Sequence, residues 1–392
     1  MKKSFLLSAL CMASMAAHAG YLTNYNEPNT DKLVQALANK NFHIVQLGDS
    51  HTAGDSMTDA LRQNLQASYG DGGMGWAMPM YFSGQRMARY GYDNYQWTPI
   101  SSRRTHSENY TLGGMIAKPN FSGSTLTIKP KNYEVAQTMT VSIRQGATDG
   151  VLTGVDADGQ SFTIEAPIKN NTWQTATFHA RLPFTITAQG NMSNTALGGW
   201  WGKSAQSSGA IVSALGINGA ELSHQSRWNS AAWQKELGMI APELVILAYG
   251  TNEAYNNVDP FTVQSVLTER IRQIRQASPN SAVMIISAPE SLKSTGGGCG
   301  TRPYQLSAIQ EIQRQTAQNE KTLFWDWQAA MGGSCSMTGW IGRGKASKDG
   351  VHFTHSGYQQ LGNLLADDIK SLSATTYQPN SLYNFSNSYY GF

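Results

Sequence analysis

Two patterns of apolar positions succeed one another along the 392-residue chain, and they predict two kinds of architecture. The first is the continuous apolar run: 43–47, 209–215, 243–249, 281–287 and 322–325. Such runs suit parallel strands covered on both faces. Helix-length segments separate them, at 31–39, 55–68, 227–237, 261–276, 303–319 and 358–371. Pro260 and Pro279 bound the fourth of these. Strands alternating with helices predict a parallel sheet with helices on both faces. The second pattern fills the stretch from about Tyr95 to Gly190. Short period-2 runs such as Ser124-Thr125-Leu126-Thr127-Ile128 and Met139-Thr140-Val141-Ser142-Ile143 are cut by turns such as Asp156-Ala157-Asp158-Gly159. Runs of that spacing predict an antiparallel sandwich. The expected architecture is a three-layer α/β/α domain in two pieces, 20–94 and 199–374, with an all-β sandwich at 95–198 inserted between its first and second β-α units. A tail at 375–392, rich in Asn, Ser and Tyr, has no periodicity: a strap across the domain, or disorder.

The start of the chain changes the picture. Lys2 and Lys3, the apolar run from Phe5 to Met15 and Ala17-His18-Ala19 follow the order of a secretory signal at 1–19, with cleavage after Ala19. No later run is long enough to span a bilayer, so no stable membrane insertion is expected. Without the leader two cysteines remain, Cys299 and Cys335. An exported chain with one such pair is expected to join it. The charge balance becomes 27 basic against 26 acidic residues. No clustered basic face points to nucleic acid.

Chemistry is concentrated at predicted strand ends. Gly48-Asp49-Ser50-His51 closes the first apolar run and opens a helix, a turn that lifts a serine to the end of a sheet strand. Gly216-Ile217-Asn218-Gly219-Ala220 follows the second run and Gly250-Thr251-Asn252-Glu253 the third. Open α/β sheets place their ligands at these carboxyl ends. A glycine N–H and an asparagine amide there can donate to an oxyanion. Asp349-Gly350-Val351-His352 precedes the last helix, close enough for the carboxylate to fix the imidazole tautomer. Each feature alone has an ordinary structural reading, as a helix cap, a turn glycine or a loop hydrogen bond. His355 falls in the first turn of the last helix, where a surface or capping role is expected.

Together, and in this order, the four motifs resemble the SGNH, or GDSL-type, hydrolase superfamily, a flavodoxin-like three-layer fold. The resemblance covers residues 31–70 and 205–372. It implies Ser50 as nucleophile, His352 as general base and Asp349 as the residue orienting it. The oxyanion donors implied are the Ser50 and Gly219 amides and the Asn252 side chain, with Gly216 a neighbouring candidate for the glycine. Asp49 is structural on this reading. His51 replaces the commoner leucine. Gly-Asp-Ser-His, the leader and the inserted β-rich block look like the bacterial peptidoglycan O-acetylesterases, whose insertion resembles a carbohydrate-binding module.

That resemblance implies a periplasmic serine esterase acting on O-acetylated peptidoglycan glycan strands, removing acetyl from the C6 hydroxyl of N-acetylmuramic acid. It implies no cofactor. The eight histidines show no metal-ligand spacing of the His-Glu-x-x-His kind. The residues alone also fit a sugar O-acetyltransferase with the same triad, an esterase on another acetylated polysaccharide, or a glycan-binding protein on an inactive scaffold. Trp76, Trp200 and Trp201 sit in Gly-rich loops flanking the insertion. There they could stack on sugar rings or pack the seam between the domains.

Overall fold

The computed structural model describes residues 20–205 and 208–374. The leader expected at 1–19 and the tail 375–392 lie outside these.

Six strands form the central sheet, in the order Leu22–Asn24, Leu323–Trp325, Ala282–Ile286, Leu244–Ala248, Phe42–Gly48 and Ala210–Gly216. The last five are mutually parallel, as the continuous apolar runs predicted. Every residue of Phe42–Gly48, Leu244–Ala248 and Ala282–Ile286 is buried. Successive side chains go to opposite faces. Leu244, Ile246 and Ala248 join one core with the helices Ser56–Tyr69 and His355–Ala374. Val245 and Leu247 join the other, toward Ser230–Ile240 and Pro260–Ala277. The edge strand Leu22–Asn24 was not predicted. It runs antiparallel to Leu323–Trp325, and three residues carry too little pattern to read.

The all-β block forms two antiparallel five-strand paths. One runs Ser161–Ile164, Val151–Val155, Phe184–Gln189, Thr125–Pro130, Tyr90–Tyr95. The other runs Trp173–Ala180, Gln137–Arg144, Ala196–Ser204, Met115–Pro119, Trp97–Ser101. Gly75–Ala77 also pairs with Ala196–Ser204. The sandwich strands therefore extend from Gly75 to Ser204, beyond the 95–198 drawn from periodicity. The outer strands are short and glycine-rich, so the alternation is too brief to register.

This block covers the free edge of the central sheet. The Trp76 N–H donates to Ser213 Oγ at 2.7 Å on the edge strand, and an uncovered edge would invite pairing with another chain. Trp76 and Trp200 are fully buried here, with Trp200 Nε1 donating to the Pro79 carbonyl at 2.9 Å. Half-buried Trp201 packs on the His43 ring at 4.7 Å. Trp76 and Trp200 therefore pack the seam and present no free ring face to a sugar, and Trp201 packs against the same core. Glu236, buried on the helix Ser230–Ile240, ties the same seam. It accepts hydrogen bonds from Thr111 Oγ1, from Ser142 Oγ at 2.5 Å and from the Leu112 N–H at 3.0 Å.

Candidate active site

The strand Phe42–Gly48 ends in a turn that only glycine permits. A Cβ on Gly48 would lie 2.1 Å from Thr52 Oγ1 and 2.9 Å from the Ala248 carbonyl. The chain turns at once into the short helix Ser50–Ala53, capped by Asp49, whose Oδ1 accepts from the His51 N–H at 2.9 Å. Ser50 thus stands half-buried at the first helical position.

The loop before His355–Ala374 brings the remaining groups from 302 positions away. Ser50 Oγ lies 3.0 Å from His352 Nε2, and His352 Nδ1 lies 2.8 Å from Asp349 Oδ2. Asp349 Oδ1 accepts the N–H groups of Val351 at 2.9 Å and His352 at 3.0 Å. Partial burial pushes the Asp349 carboxyl up, but those two amides and the imidazole outweigh it and hold the group below its ordinary value. It is a carboxylate at neutral pH, and it fixes the imidazole with Nε2 toward the serine.

Gly219 and Asn252 line the same cleft as Ser50 and His352, a space of about 840 Å³. Gly219 has φ +70°, and a Cβ there would meet the Arg103 guanidinium at 2.7 Å. Its N–H and that of Ser50 have no acceptor among the described residues. Gly216 packs against Ala53 instead of facing the cleft. Asn252 Nδ2 donates to the Ala220 carbonyl at 2.9 Å and reaches Asp49 Oδ2 at 3.4 Å. His355 is exposed on the rim, as expected, and Thr354 Oγ1 caps the last helix by accepting from the Gly357 N–H at 3.3 Å.

Two buried groups flank the relay, Asp49, expected to be structural, and His51, whose surroundings the sequence did not show. Burial, with Glu253 adding, pushes the Asp49 carboxyl up to about 8. His51 is buried and lowered to about 3, first by burial and then by the neighbouring His352. Its Nδ1 meets Tyr358 Oη at 2.8 Å and its ring lies 5.4 Å from that of His352. It therefore backs the relay as a neutral ring. Its position after Ser50 was visible in the sequence, but the direction of its side chain was not. No cluster of His, Cys, Asp or Glu suited to a metal ion occurs among the described residues.

A parallel α/β sheet with Ser-His-Asp geometry at its strand ends defines a hydrolase of the GDSL, or SGNH, class. Residues 185–360 match the GDSL-like lipase/acylhydrolase family, and residues 72–185 match the peptidoglycan O-acetylesterase N-terminal family. A solved peptidoglycan O-acetylesterase is 38% identical, with a TM-score of 0.82 over 91% of this chain and 99% of that one. The chain belongs to the peptidoglycan O-acetylesterase family, and it is a carboxylic ester hydrolase. A family two carbohydrate esterase from Cellvibrio japonicus aligns over 73% of this chain and 99% of its own, at 9% identity and a TM-score of 0.30. No curated protein sequence matches.

The cysteine pair is joined, Cys299 to Cys335 across 36 positions. Among the described residues no helix is long and apolar enough to cross a membrane.

Proposed function

We propose that this chain is exported to the periplasm and removes acetyl from the C6 hydroxyl of N-acetylmuramic acid in peptidoglycan, through an acetyl-Ser50 intermediate. The observation that carries the reading is the unbroken relay from Ser50 Oγ through His352 to Asp349, opening on a cleft large enough for a sugar. The similarity to a peptidoglycan O-acetylesterase supports the substrate class. The leader-like residues 1–19 and the cysteine bond support export.

Ser50 Oγ attacks the acetyl carbonyl carbon as His352 Nε2 takes its proton. Asp349 holds the imidazolium that forms. The oxyanion falls to the amides of Ser50 and Gly219, whose hydrogens have no competing acceptor, and to Asn252 Nδ2. The long 3.4 Å contact of Nδ2 to Asp49 is the weaker of its two bonds, so it is the one an oxyanion displaces. With its carboxyl raised to about 8, Asp49 is neutral at pH 7 and sets no opposing charge beside the oxyanion. The tetrahedral adduct collapses, the C–O bond to the sugar breaks, and His352 returns the proton to the C6 oxygen. Water, deprotonated by His352, then attacks the acetyl-serine and releases acetate.

The test is acetate release from O-acetylated peptidoglycan beside acetylated xylan, by wild type and Ser50→Ala. Release from peptidoglycan that vanishes in the variant is expected. Preference for xylan, or undiminished release by Ser50→Ala, rejects the proposal.

A further inference from the structure

The cleft does not stop at the nucleophile. Asn218, on its wall, also lines a second cleft of about 360 Å³. The far side of that second space is the sandwich strand Trp97–Ser101 and the following loop, which carries Arg103 and Arg104. Arg103 Nε donates to the Gly219 carbonyl at 2.7 Å, so this guanidinium is anchored on the turn that lines the nucleophile's cleft. Arg227 braces the arginine loop from behind, donating to the carbonyls of Ser102 at 2.6 Å and Arg103 at 3.0 Å. Arg86 lines the first cleft.

None of these four arginines forms an ion pair among the described residues. Elsewhere arginines of the same chain do: Arg62 with Asp55 and Asp59, Arg89 with Asp71 and Glu134. Glu221, the acid beside His224 at this rim, is taken up by Asn256 Nδ2 at 2.6 Å and Ser223 Oγ at 3.2 Å. Of these, Arg103 and Arg104 line the second cleft, whose lining carries no carboxylate, and in a chain with nearly balanced charge that leaves room for an incoming anion. The planar fork of arginine suits a carboxylate, which it can bind through two parallel hydrogen bonds.

We propose that this arm of the cleft, through Arg103 and Arg104, is an anion subsite that takes a carboxylate of the acidic peptide borne by the acetylated sugar. The inference rests on the esterase reading above and adds a second recognition element to it. In a muramoyl unit the peptide hangs from the lactyl ether on C3, across the ring from the C6 acetate. An acetate placed at Ser50 leaves the peptide free to run past Asn218 toward the two arginines. The inserted domain then selects peptide-bearing glycan over stripped glycan, while the hydrolase domain supplies the chemistry.

Competition against p-nitrophenyl acetate turnover tests this. The probes are N-acetylmuramoyl-L-alanyl-D-glutamate, the same compound with both carboxyls amidated, and N-acetylmuramic acid. The diacid is expected to inhibit about tenfold more tightly than its diamide, the scale of one well-made charged contact. Arg104→Gln should erase most of that ratio and Arg104→Lys should keep part of it, with the diamide as each variant's internal reference. Equal inhibition by diacid and diamide, or a ratio unchanged in Arg104→Gln, overturns the subsite. Inhibition by N-acetylmuramic acid matching the diacid overturns the peptide as its ligand. The readout is a generic acetyl ester, so it stays informative if peptidoglycan proves not to be the substrate.

Discussion

The central sheet and the inserted sandwich are both β structure, but they dispose of polar side chains in opposite ways. In Phe42–Gly48 and Leu244–Ala248 every position is buried, so nothing chemical can face out from the strands themselves. That leaves the turns at the carboxyl ends, where Ser50, Gly219 and Asn252 line one cleft, as the place for the proposed chemistry. In the sandwich, Thr125–Pro130 and Phe184–Gln189 alternate between buried and accessible positions. One face of that sheet closes the core, and polar groups are spread along the other, whereas Gln137–Arg144 in the second sheet, at the seam, is buried almost throughout. The comparison teaches where variation is tolerated. A polar group at a strand end of the first region is set for chemistry, whereas a buried polar group at the seam, such as Glu236, is set for holding two domains together.

Substitutions at the two places should fail differently. Asn252→Ala removes one proposed oxyanion donor at a strand end and is expected to lower kcat on p-nitrophenyl acetate by about 10²–10³-fold, with the melting temperature little changed. A kcat within a few fold of wild type would take Asn252 out of the oxyanion set. Glu236→Ala should do the reverse. It leaves the buried Thr111 and Ser142 hydroxyls and the Leu112 N–H without their acceptor, at a cost of about 3 kcal/mol in unfolding free energy. Chemical denaturation should show that loss, with Glu236→Gln losing less because it keeps an acceptor oxygen. Unaltered stability in Glu236→Ala would mean the seam is held by apolar packing alone.

The smallest effect is in pH. Burial raises Asp49 to about 8 and Glu253 and Glu236 to about 7, so the folded chain holds protons that the unfolded chain has released. Stability from these groups is present at low pH and is lost as pH rises through about 7 to 8. Burial lowers His43 and His51 to about 3, so their contribution is lost as pH falls below their ordinary 6.5. Above pH 6.5 only the acids act, and the melting temperature should decline from pH 6.5 to 8. A flat or rising curve there would contradict the buried-acid assignment. Glu236→Gln should lose part of the slope.

Much of this was legible in the chain. The continuous apolar runs located the five parallel strands, and alternation located the sandwich. The spacing of Asp349 and His352 located a pair that does meet at 2.8 Å. What could not be read has a common cause: it depends on which side chains the fold turns inward. Trp76 and Trp200 read equally well as sugar platforms or as seam, and only their burial decides. The contact of Arg103 with Gly219 spans 116 positions and leaves no local pattern. The outer sandwich strands, from Gly75–Ala77 to Tyr90–Tyr95, are too short and too rich in glycine and polar residues to show their period.

The central claim is that groups three hundred positions apart make one serine a nucleophile, and the most direct measurement is the covalent intermediate itself. Acid quenching during turnover of p-nitrophenyl acetate, followed by peptide mass spectrometry, should find one acetyl group on the peptide carrying Ser50. It should be absent from Ser50→Ala. Acetyl on another residue, or a Ser50→Ala enzyme that still turns over normally, would contradict the account.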